Sequence, residues 1–371
     1  MKKAMRIIIS GGGTGGHIFP AISIANEIMR VSPHSEILFV GALGKMEMER
    51  VPAAGYKIEG LPVAGLKRKL SLSNLLLPFK VLKSLRGAAK IIDDFKPDAA
   101  IGVGGYASAP LLYMAGRKNI PYLIQEQNSF AGLANRILSK KAKKICVAYE
   151  GMSRFFPEDK ILITGNPIRS GIQMTTAEMK AEAREYFGVK ENKKVLLVIG
   201  GSLGARTLNT AVENWISERE VSNIEIIWQS GKYYKEEVEL FLKEKNREYV
   251  KNCEFIDRMD LAYAAADVII TRAGAGTISE LSVAKKACIF VPSPNVAEDH
   301  QTCNAKALVD KRAAMMVKDA EAPQYLMTTA MELLNDTSKI EELEENIGRM
   351  GYKQSASIIV NEVFKLTGNK G

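Results

Sequence analysis

Glycine-rich turns stand where chemistry would need bare backbone amides. "GGGTGGHIFP" (11–20) follows the apolar run Ile7, Ile8 and Ile9 and carries a histidine, His17. Gly11, Gly13 and Gly16 satisfy G-x-G-x-x-G, a spacing that lets the backbone approach a phosphate where a helix begins. The dinucleotide form of this turn also wants an acid at the end of the second strand, to hold a ribose. Here "EILFV" runs into Gly41, Ala42, Leu43 and Gly44, with no acid. No lysine follows in the G-K-[ST] manner, so the turn is not a P-loop. Two readings stay open: a tight strand–helix turn without a ligand, and an anion site at a helix N-terminus. His17 suits a general base, because a free imidazole titrates at about pH 6.5. It suits an orienting or phosphate-binding role equally well.

Three further stretches carry candidate groups. "GGSLG" (200–204) matches G-x-S-x-G, the nucleophile elbow of serine hydrolases, with His300 downstream and Asp257, Asp260 and Asp267 between. No HGGG-type oxyanion loop accompanies it. Alternatively, Ser202 and its neighbouring amides hold a diphosphate at the positive end of a helix. "TRAGAGTISEL" (271–281) offers Gly274, Gly276, Thr277 and Ser279 before Glu280. Glu280 can accept from the two hydroxyls of a ribose, or serve a capping box with Thr277. "EDHQTCNA" (298–305), with His300, Gln301 and Asn304, reads as a sugar clamp or a solvated turn. "QEQNSFAGLANR" (125–136) puts Glu126 and Asn128 at the carboxyl edge of a sheet, where open α/β sheets bind ligands.

The elements around these turns are short apolar runs alternating with helical stretches. Strands are expected at 5–10, 36–40, 99–103, 121–125, 144–148 and 161–164. A second set follows at 194–199, 224–228, 253–256, 267–271 and 287–291. Runs apolar at nearly every position and separated by helices are buried parallel strands. The fold class is therefore α/β, with the βαβ pattern laid down twice. The first domain is expected to span 1–166. A linker is expected over 167–189 and a second domain over 190–344, with Gly351 kinking or dividing the last helical stretch.

Composition limits the remaining classes. The 371 residues carry a net charge of +9, which suits an anionic partner without choosing among nucleotide, nucleic acid and membrane. The four cysteines, Cys146, Cys253, Cys288 and Cys303, form no CxxC pair, so neither a zinc site nor a disulfide framework is expected. No Asp-x-Asp motif suggests a bound metal. The uncharged run at 99–116 nears the length of a membrane span, but its glycines and Pro110 favour a strand, a loop and a small-residue helix. Over 66–96, eight basic residues face two acids, beside Leu70, Leu72, Leu75, Leu76, Leu77 and Phe79. That balance fits a segment touching an anionic membrane surface, or a core helix with lysines at its rim. Few aromatics interleave with the basic residues, so nucleic acid is not expected.

Taken together, "GGGTGGHIFPA", "GVGGYASAP", "EQNSFAGLANR", "GNPIR", "GGSLGARTLN", "IWQSGK", "EFIDRM", "YAAADVIITRAGAGTISEL" and "FVPSP…EDHQTCNA" resemble the successive motifs of the MurG family of glycosyltransferases, in order from residue 5 to beyond 305. The resemblance implies a GT-B fold: two Rossmann-like, doubly wound domains facing a cleft, with the last helix crossing back, so that about 345–371 joins 1–166. It implies inverting transfer of N-acetylglucosamine from UDP-N-acetylglucosamine, with no tightly bound cofactor. The acceptor would be the 4-hydroxyl of the muramoyl-pentapeptide on undecaprenyl diphosphate, and the place of work the cytoplasmic face of the inner membrane, as a peripheral protein. By similarity Ile256 meets the uracil and Glu280 the ribose. Ser202, Arg169 and the loop Ala275, Gly276, Thr277, Ile278 and Ser279 meet the diphosphate. Gln301 and Asn128 meet the sugar, which Thr14, Gly15 and Gly16 border. The acceptor's diphosphate falls to Gly13, Gly104, Gly105 and Tyr106, and the membrane to about 66–90. His17 is the first candidate for the base and Glu126 the second. One departure stands out: family members often have His-Glu-Gln-Asn where this chain has Gln125-Glu126-Gln127-Asn128, so no histidine at 125 can be essential here.

Overall fold

The computed structural model describes residues 4–63, 77–169, 171–219, 223–296 and 299–368. They form two compact units, Met1–Ser170 with Gln354–Gly371, and Gly171–Lys353.

The first unit holds a parallel sheet of seven strands among the described residues: β1 (Arg6–Ser10), β2 (Glu36–Ala42), β3 (Lys57–Leu61), β4 (Ala99–Gly102), β5 (Tyr122–Glu126), β6 (Lys144–Val147) and β7 (Ile161–Ile163). Their spatial order is β3-β2-β1-β4-β5-β6-β7. Helices α1 (Gly15–Val31), α2 (Glu47–Ala53), α3 (Leu77–Phe95), α4 (Ser108–Arg117) and α5 (Leu133–Leu138) connect them. The triple isoleucine of β1 shows why the strand is apolar throughout. Ile8 packs on one face with Leu111, Leu112 and Ile124. Ile7 and Ile9 pack on the other with Ile18, Ile24 and Ile28 of α1. A parallel sheet covered on both faces has no solvent side to leave polar.

The second unit repeats the plan with α6 (Ala177–Tyr186), β8 (Lys194–Ile199), α7 (Arg206–Glu218), β9 (Ile224–Gln229), α8 (Lys235–Lys245), β10 (Val250–Cys253), α9 (Met259–Ala265), β11 (Val268–Thr271), α10 (Ala275–Ala284), β12 (Cys288–Phe290), α11 (His300–Val309), β13 (Met315–Met316), α12 (Ala322–Asn335) and α13 (Thr337–Gly348). Its parallel sheet runs β10-β9-β8-β11-β12-β13. The chain then returns to the first unit as α14 (Ser355–Leu366), whose Ile359, Val360, Val363 and Phe364 join the core beside α1.

In each sheet the winding reverses beside the first strand, between β1 and β4 and between β8 and β11. Crevices for ligands open at the carboxyl ends of strands at such a reversal. The turns after β1, β4, β8 and β11 are the glycine-rich stretches quoted above.

Some expectations are corrected. Strands β3 and β13 were not expected, and β10 lies at 250–253 rather than 253–256. All three occupy sheet edges. Lys57–Leu61 carries polar residues along an edge, and two residues of β13 are too few to show a pattern. Within the expected linker, α6 belongs to the second unit, where Lys180 and Arg184 bind Asp267 at 2.5 and 2.9 Å. Residues 345–353 also stay with the second unit, and the stretch containing Gly351 separates two helices. The uncharged run 99–116 is β4, a loop and α4, and no helix among the described residues is long and apolar enough to cross a membrane.

Candidate active site

Two loops meet at the reversal point of the first unit. Gly13 adopts φ +86°, and Gly104 and Gly105 both adopt φ +89°, conformations that favour glycine. The loops pack backbone on backbone: a Cβ on Gly105 would collide with the Gly12 carbonyl. Ser108 stitches them together, its hydroxyl donating to Ser10 O at 2.8 Å and to Gly104 O at 2.9 Å. Helix α1 then starts at Gly15, with the His17 and Ile18 amides donating to Thr14 O. The Gly15 and Gly16 amides belong to the open first turn, where helices attract anions.

His17 lies against this second loop. A Cβ on Gly104 would sit 2.6 Å from its Cδ2 and 2.9 Å from its Nε2, so glycine there makes room for the imidazole. Its Nδ1 is 3.2 Å from Thr14 Oγ1. If Nδ1 carries the proton and donates to Thr14, Nε2 presents a lone pair and can act as a base. If Thr14 donates, Nε2 carries the proton and cannot. Tyr106, in the same loop, is exposed.

Glu126 ends β5 and is 2% exposed. One carboxylate oxygen accepts from the Asn128 amide and side chain at 3.1 and 3.3 Å. The other accepts from the Gly132 amide at 3.3 Å and Asn135 Nδ2 at 2.8 Å. Burial raises its pKa, and these four donors pull it back down. A raised carboxyl suits a base, while both oxygens face inward on donors that shape the 126–135 loop. These contacts make Glu126, the second candidate for the base, a support of its loop, with Asn128 hung directly on it. Beside it, Gln125 Nε2 donates to Asn166 Oδ1 at 2.8 Å. Gln127 Nε2 donates to Val103 O at 2.6 Å and to Gln125 Oε1, and Asn166 Nδ2 donates to Gln127 O at 3.1 Å. This amide bridge ties β5 to the 103–105 loop and to the "GNP" turn. Arg169, beyond that turn, lies over the Phe19 ring of α1 at 5.4 Å, a contact worth about 0.5–1 kcal/mol at an open site.

The second unit uses the same device. Gly204 (φ +90°) and Gly231 (φ +88°) interlock, so that a Cβ on either would strike the other loop's backbone. Asn209 holds that place, donating to Ser230 O at 3.1 Å while accepting from Trp228 Nε1 at 3.0 Å. Ser202 stands partly exposed in the turn before α7, and its carbonyl accepts from the Lys232 amide at 3.1 Å. Two of the three acids that a nucleophile elbow could recruit are engaged elsewhere. Asp267 binds Lys180, Arg184 and the Val195 amide, and Asp260 pairs with Arg258 at 2.7 Å.

Helix α10 starts one turn earlier than a capping box requires. Gly274 is its N-cap, and Ala275, Gly276, Thr277, Ile278 and Ser279 form its first turns. Thr277 therefore caps nothing. Glu280, 5% exposed, accepts from the Tyr263 hydroxyl of α9 at 2.9 Å. Ile256 is buried in the turn after β10. Gln301, in the first turn of α11, accepts the Ser293 amide at 2.8 Å through Oε1, which leaves its Nε2 as the donor end. Asn304 is fully buried and belongs to the core rather than to a sugar clamp. No group of three His, Cys, Asp or Glu among the described residues is placed to hold a metal ion.

Residues 7–147 match the model of the glycosyltransferase family 28 N-terminal domain, and residues 195–359 that of its C-terminal domain. The UDP-N-acetylglucosamine–N-acetylmuramyl-(pentapeptide) pyrophosphoryl-undecaprenol N-acetylglucosamine transferase of Phocaeicola vulgatus is 54% identical over 367 residues, covering 99% of this chain and 97% of that protein. The protein of the same name from Cytophaga hutchinsonii is 54% identical over 365 residues, covering 98% of each. The chain belongs to glycosyltransferase family 28. Among solved structures, Acinetobacter baumannii MurG superposes with a TM-score of 0.76 at 28% identity, over 97% of this chain and 99% of that one. The two parallel-sheet units of this family 28 transferase are those of the GT-B fold.

Three site-building residues of the transferase escape the motif reading: Tyr263 behind Glu280, Gln127 in the amide bridge, and Glu47. The acid missing after the second strand is Glu47, five residues beyond Ala42. It turns inward, accepting from the Ala42 amide at 2.9 Å and the Gly13 amide at 2.8 Å. The only sequence trace of it is the pair of glycines it needs, Gly12 and Gly41, either of whose Cβ atoms would collide with its side chain.

Glu126 allows a clear test of scaffold against chemistry. Glu126→Gln turns one inward acceptor into a donor facing donors, a loss of about 1–3 kcal/mol for each orphaned group. At roughly 2–4 °C per kcal/mol for a unit of this size, calorimetry is expected to show the melting temperature falling by several degrees. An unchanged melting temperature with lost turnover would return Glu126 to the chemistry.

Proposed function

We propose that this chain transfers N-acetylglucosamine from UDP-N-acetylglucosamine to the 4-hydroxyl of the muramoyl-pentapeptide on undecaprenyl diphosphate. The observation that carries the reading is likeness over essentially the whole chain, at about half identity, to relatives named for that reaction. The paired glycine turns at both sheet reversals support it, because the reaction handles two diphosphates.

The donor is linked to UDP in the α configuration and the product is β. A single in-line displacement accomplishes this. The acceptor oxygen bonds to the anomeric carbon, the bond to the UDP oxygen breaks, and the hydroxyl proton passes to a base. We assign UDP to the second unit: the uracil to the backbone at Ile256, the ribose to Glu280 with Tyr263 behind it, the diphosphate to Ser202 and Ala275–Ser279, and the sugar to Gln301. The open first turns of α7 and α10 oppose the charge that builds on the departing UDP. In the first unit, Thr14, Gly15, Gly16 and Asn128 are assigned to the sugar and Arg169 to the diphosphate. Gly13, Gly104, Gly105 and Tyr106 are assigned to the acceptor. His17 is assigned as the base, in the tautomer that donates from Nδ1 to Thr14.

The overall reading predicts UDP release from UDP-N-acetylglucosamine that depends on the lipid-linked muramoyl-pentapeptide. Release indifferent to that lipid would defeat it in favour of another nucleotide-sugar enzyme. For His17, loss of a general base costs about 10²–10⁴ in rate, so His17→Ala is expected to lose turnover on that scale. Turnover within a few-fold of the parent would leave His17 an orienting residue.

Membrane contact is part of the same proposal. Residues 64–76 lie outside the described residues, but α3 continues from them. Its outer side shows Phe79 (72% exposed), Val81 and Leu82 among Lys80, Lys83, Arg86 and Lys90, while Ser84, Ala88, Ile91 and Ile92 face inward. Exposed apolar residues ringed by lysine and arginine suit an anionic bilayer surface. Neutralising Lys67, Arg68 and Lys69 removes about 1 kcal/mol each, and is expected to weaken binding to anionic vesicles by roughly two orders of magnitude. Unchanged sedimentation with the vesicles would remove the assignment.

A further inference from the structure

Glu47 is a carboxylate with no access to solvent, placed under the glycine turn that leads into His17. Its Oε2 accepts from the Gly13 amide at 2.8 Å and its Oε1 from the Ala42 amide at 2.9 Å. Three glycines are spent on this arrangement. Gly12 lies against the carboxylate, Gly41 against its methylenes (a Cβ there would be 2.6 Å from Cγ), and Gly105 presses on Gly12 from the other loop. Gly12 is therefore held between the Glu47 carboxylate on one side and a neighbouring backbone on the other. Gly13 is held at φ +86° by the hydrogen bond on its own amide. Thr14 and His17 follow directly.

We propose that Glu47 is a positioning residue for the transfer, acting through the Gly12–His17 turn. By taking up the Gly13 amide it fixes the backbone of the turn that borders the acceptor. The same hydrogen bond sets the direction in which α1 begins, and with it the seat of the imidazole on Gly104. The consequence for catalysis rests on the reading of this turn as acceptor-facing.

Glu47→Gln tests it in the full-length protein, since it keeps the shape but points an amide hydrogen at one of two backbone donors. Two readouts are needed. The first is the imidazole nitrogen spectrum, in which His17 is one of only three histidines. The His17 resonances are expected to shift while those of His34 and His300 stay. The second is steady-state kinetics, where the KM for the lipid-linked acceptor is expected to rise about ten-fold, the scale of one lost charge-assisted hydrogen bond, with the dissociation constant for UDP unchanged. A shift of His17 without any change in acceptor KM upholds the positioning role and overturns the acceptor assignment of the turn. Unshifted His17 resonances with an unchanged acceptor KM overturn the proposal. So does a parallel loss of acceptor and UDP affinity that tracks the melting temperature, which would mark a purely structural residue. If Glu47→Gln does not fold, Glu47→Asp carries the same test with smaller shifts. Gly12→Ala should disturb the same His17 resonances, and should do less added harm when combined with Glu47→Ala, because the carboxylate its Cβ strikes is then gone.

Discussion

Backbone pressed on backbone is the constraint from which the rest of this transferase follows. At the reversal point of each sheet two loops approach so closely that a side chain at the contact would strike the facing backbone: on Gly105 against Gly12 in the first unit, and on either Gly204 or Gly231 in the second. Such an approach leaves peptide groups to be satisfied by hydrogen bonds rather than by water. Ser108 meets that need in the first unit, and Asn209 in the second. The outcome in each unit is a rigid rim of amides at the carboxyl ends of the central strands, with a helix starting directly behind it.

That constraint also explains how the acidic residues divide. Glu47, Glu126 and Asp267 are all oriented inward, and each accepts at least one backbone N–H. A carboxylate committed to two or more donors gains about 1.5–3 kcal/mol from each, so it is a poor candidate for moving protons. Glu280, also buried, accepts from the side-chain hydroxyl of Tyr263. Telling structural from functional carboxylates here depends on what donates to them, because Glu47, Glu126 and Glu280 are all buried.

Much of the fold could be read from residue order. Ile7–Ile9, Val195–Ile199 and Val268–Ile270 are apolar at every position because both sheet faces are covered, and each is a central strand. Lys57–Leu61, Val250–Cys253 and Met315–Met316 lie at sheet edges, where that signal fades. The glycine turns announced where ligands belong, because their conformations admit little else. The supports behind them left no such mark. Glu47 and Tyr263 reach their partners across 34 and 17 positions, and periodicity does not register contacts of that kind. The Thr277–Glu280 spacing fitted a capping box, yet Gly274 starts the helix and frees Glu280 for Tyr263. Local spacing lost there to a tertiary hydrogen bond.

The bridge of Gln125, Gln127 and Asn166 has a directional character of its own. An amide has a donor end and an acceptor end, so once Gln127 points its nitrogen at Val103 O, the orientations of Gln125 and Asn166 are set in turn. Reversing one amide would set nitrogen against nitrogen or oxygen against oxygen at the next contact. None of the three groups takes up or gives off a proton near neutrality, whereas an imidazole at position 125 would have two tautomers and a charged form. This chain thus fastens β5 to two of its loops with a clasp that closes in only one sense and keeps that sense as the acidity of its surroundings changes.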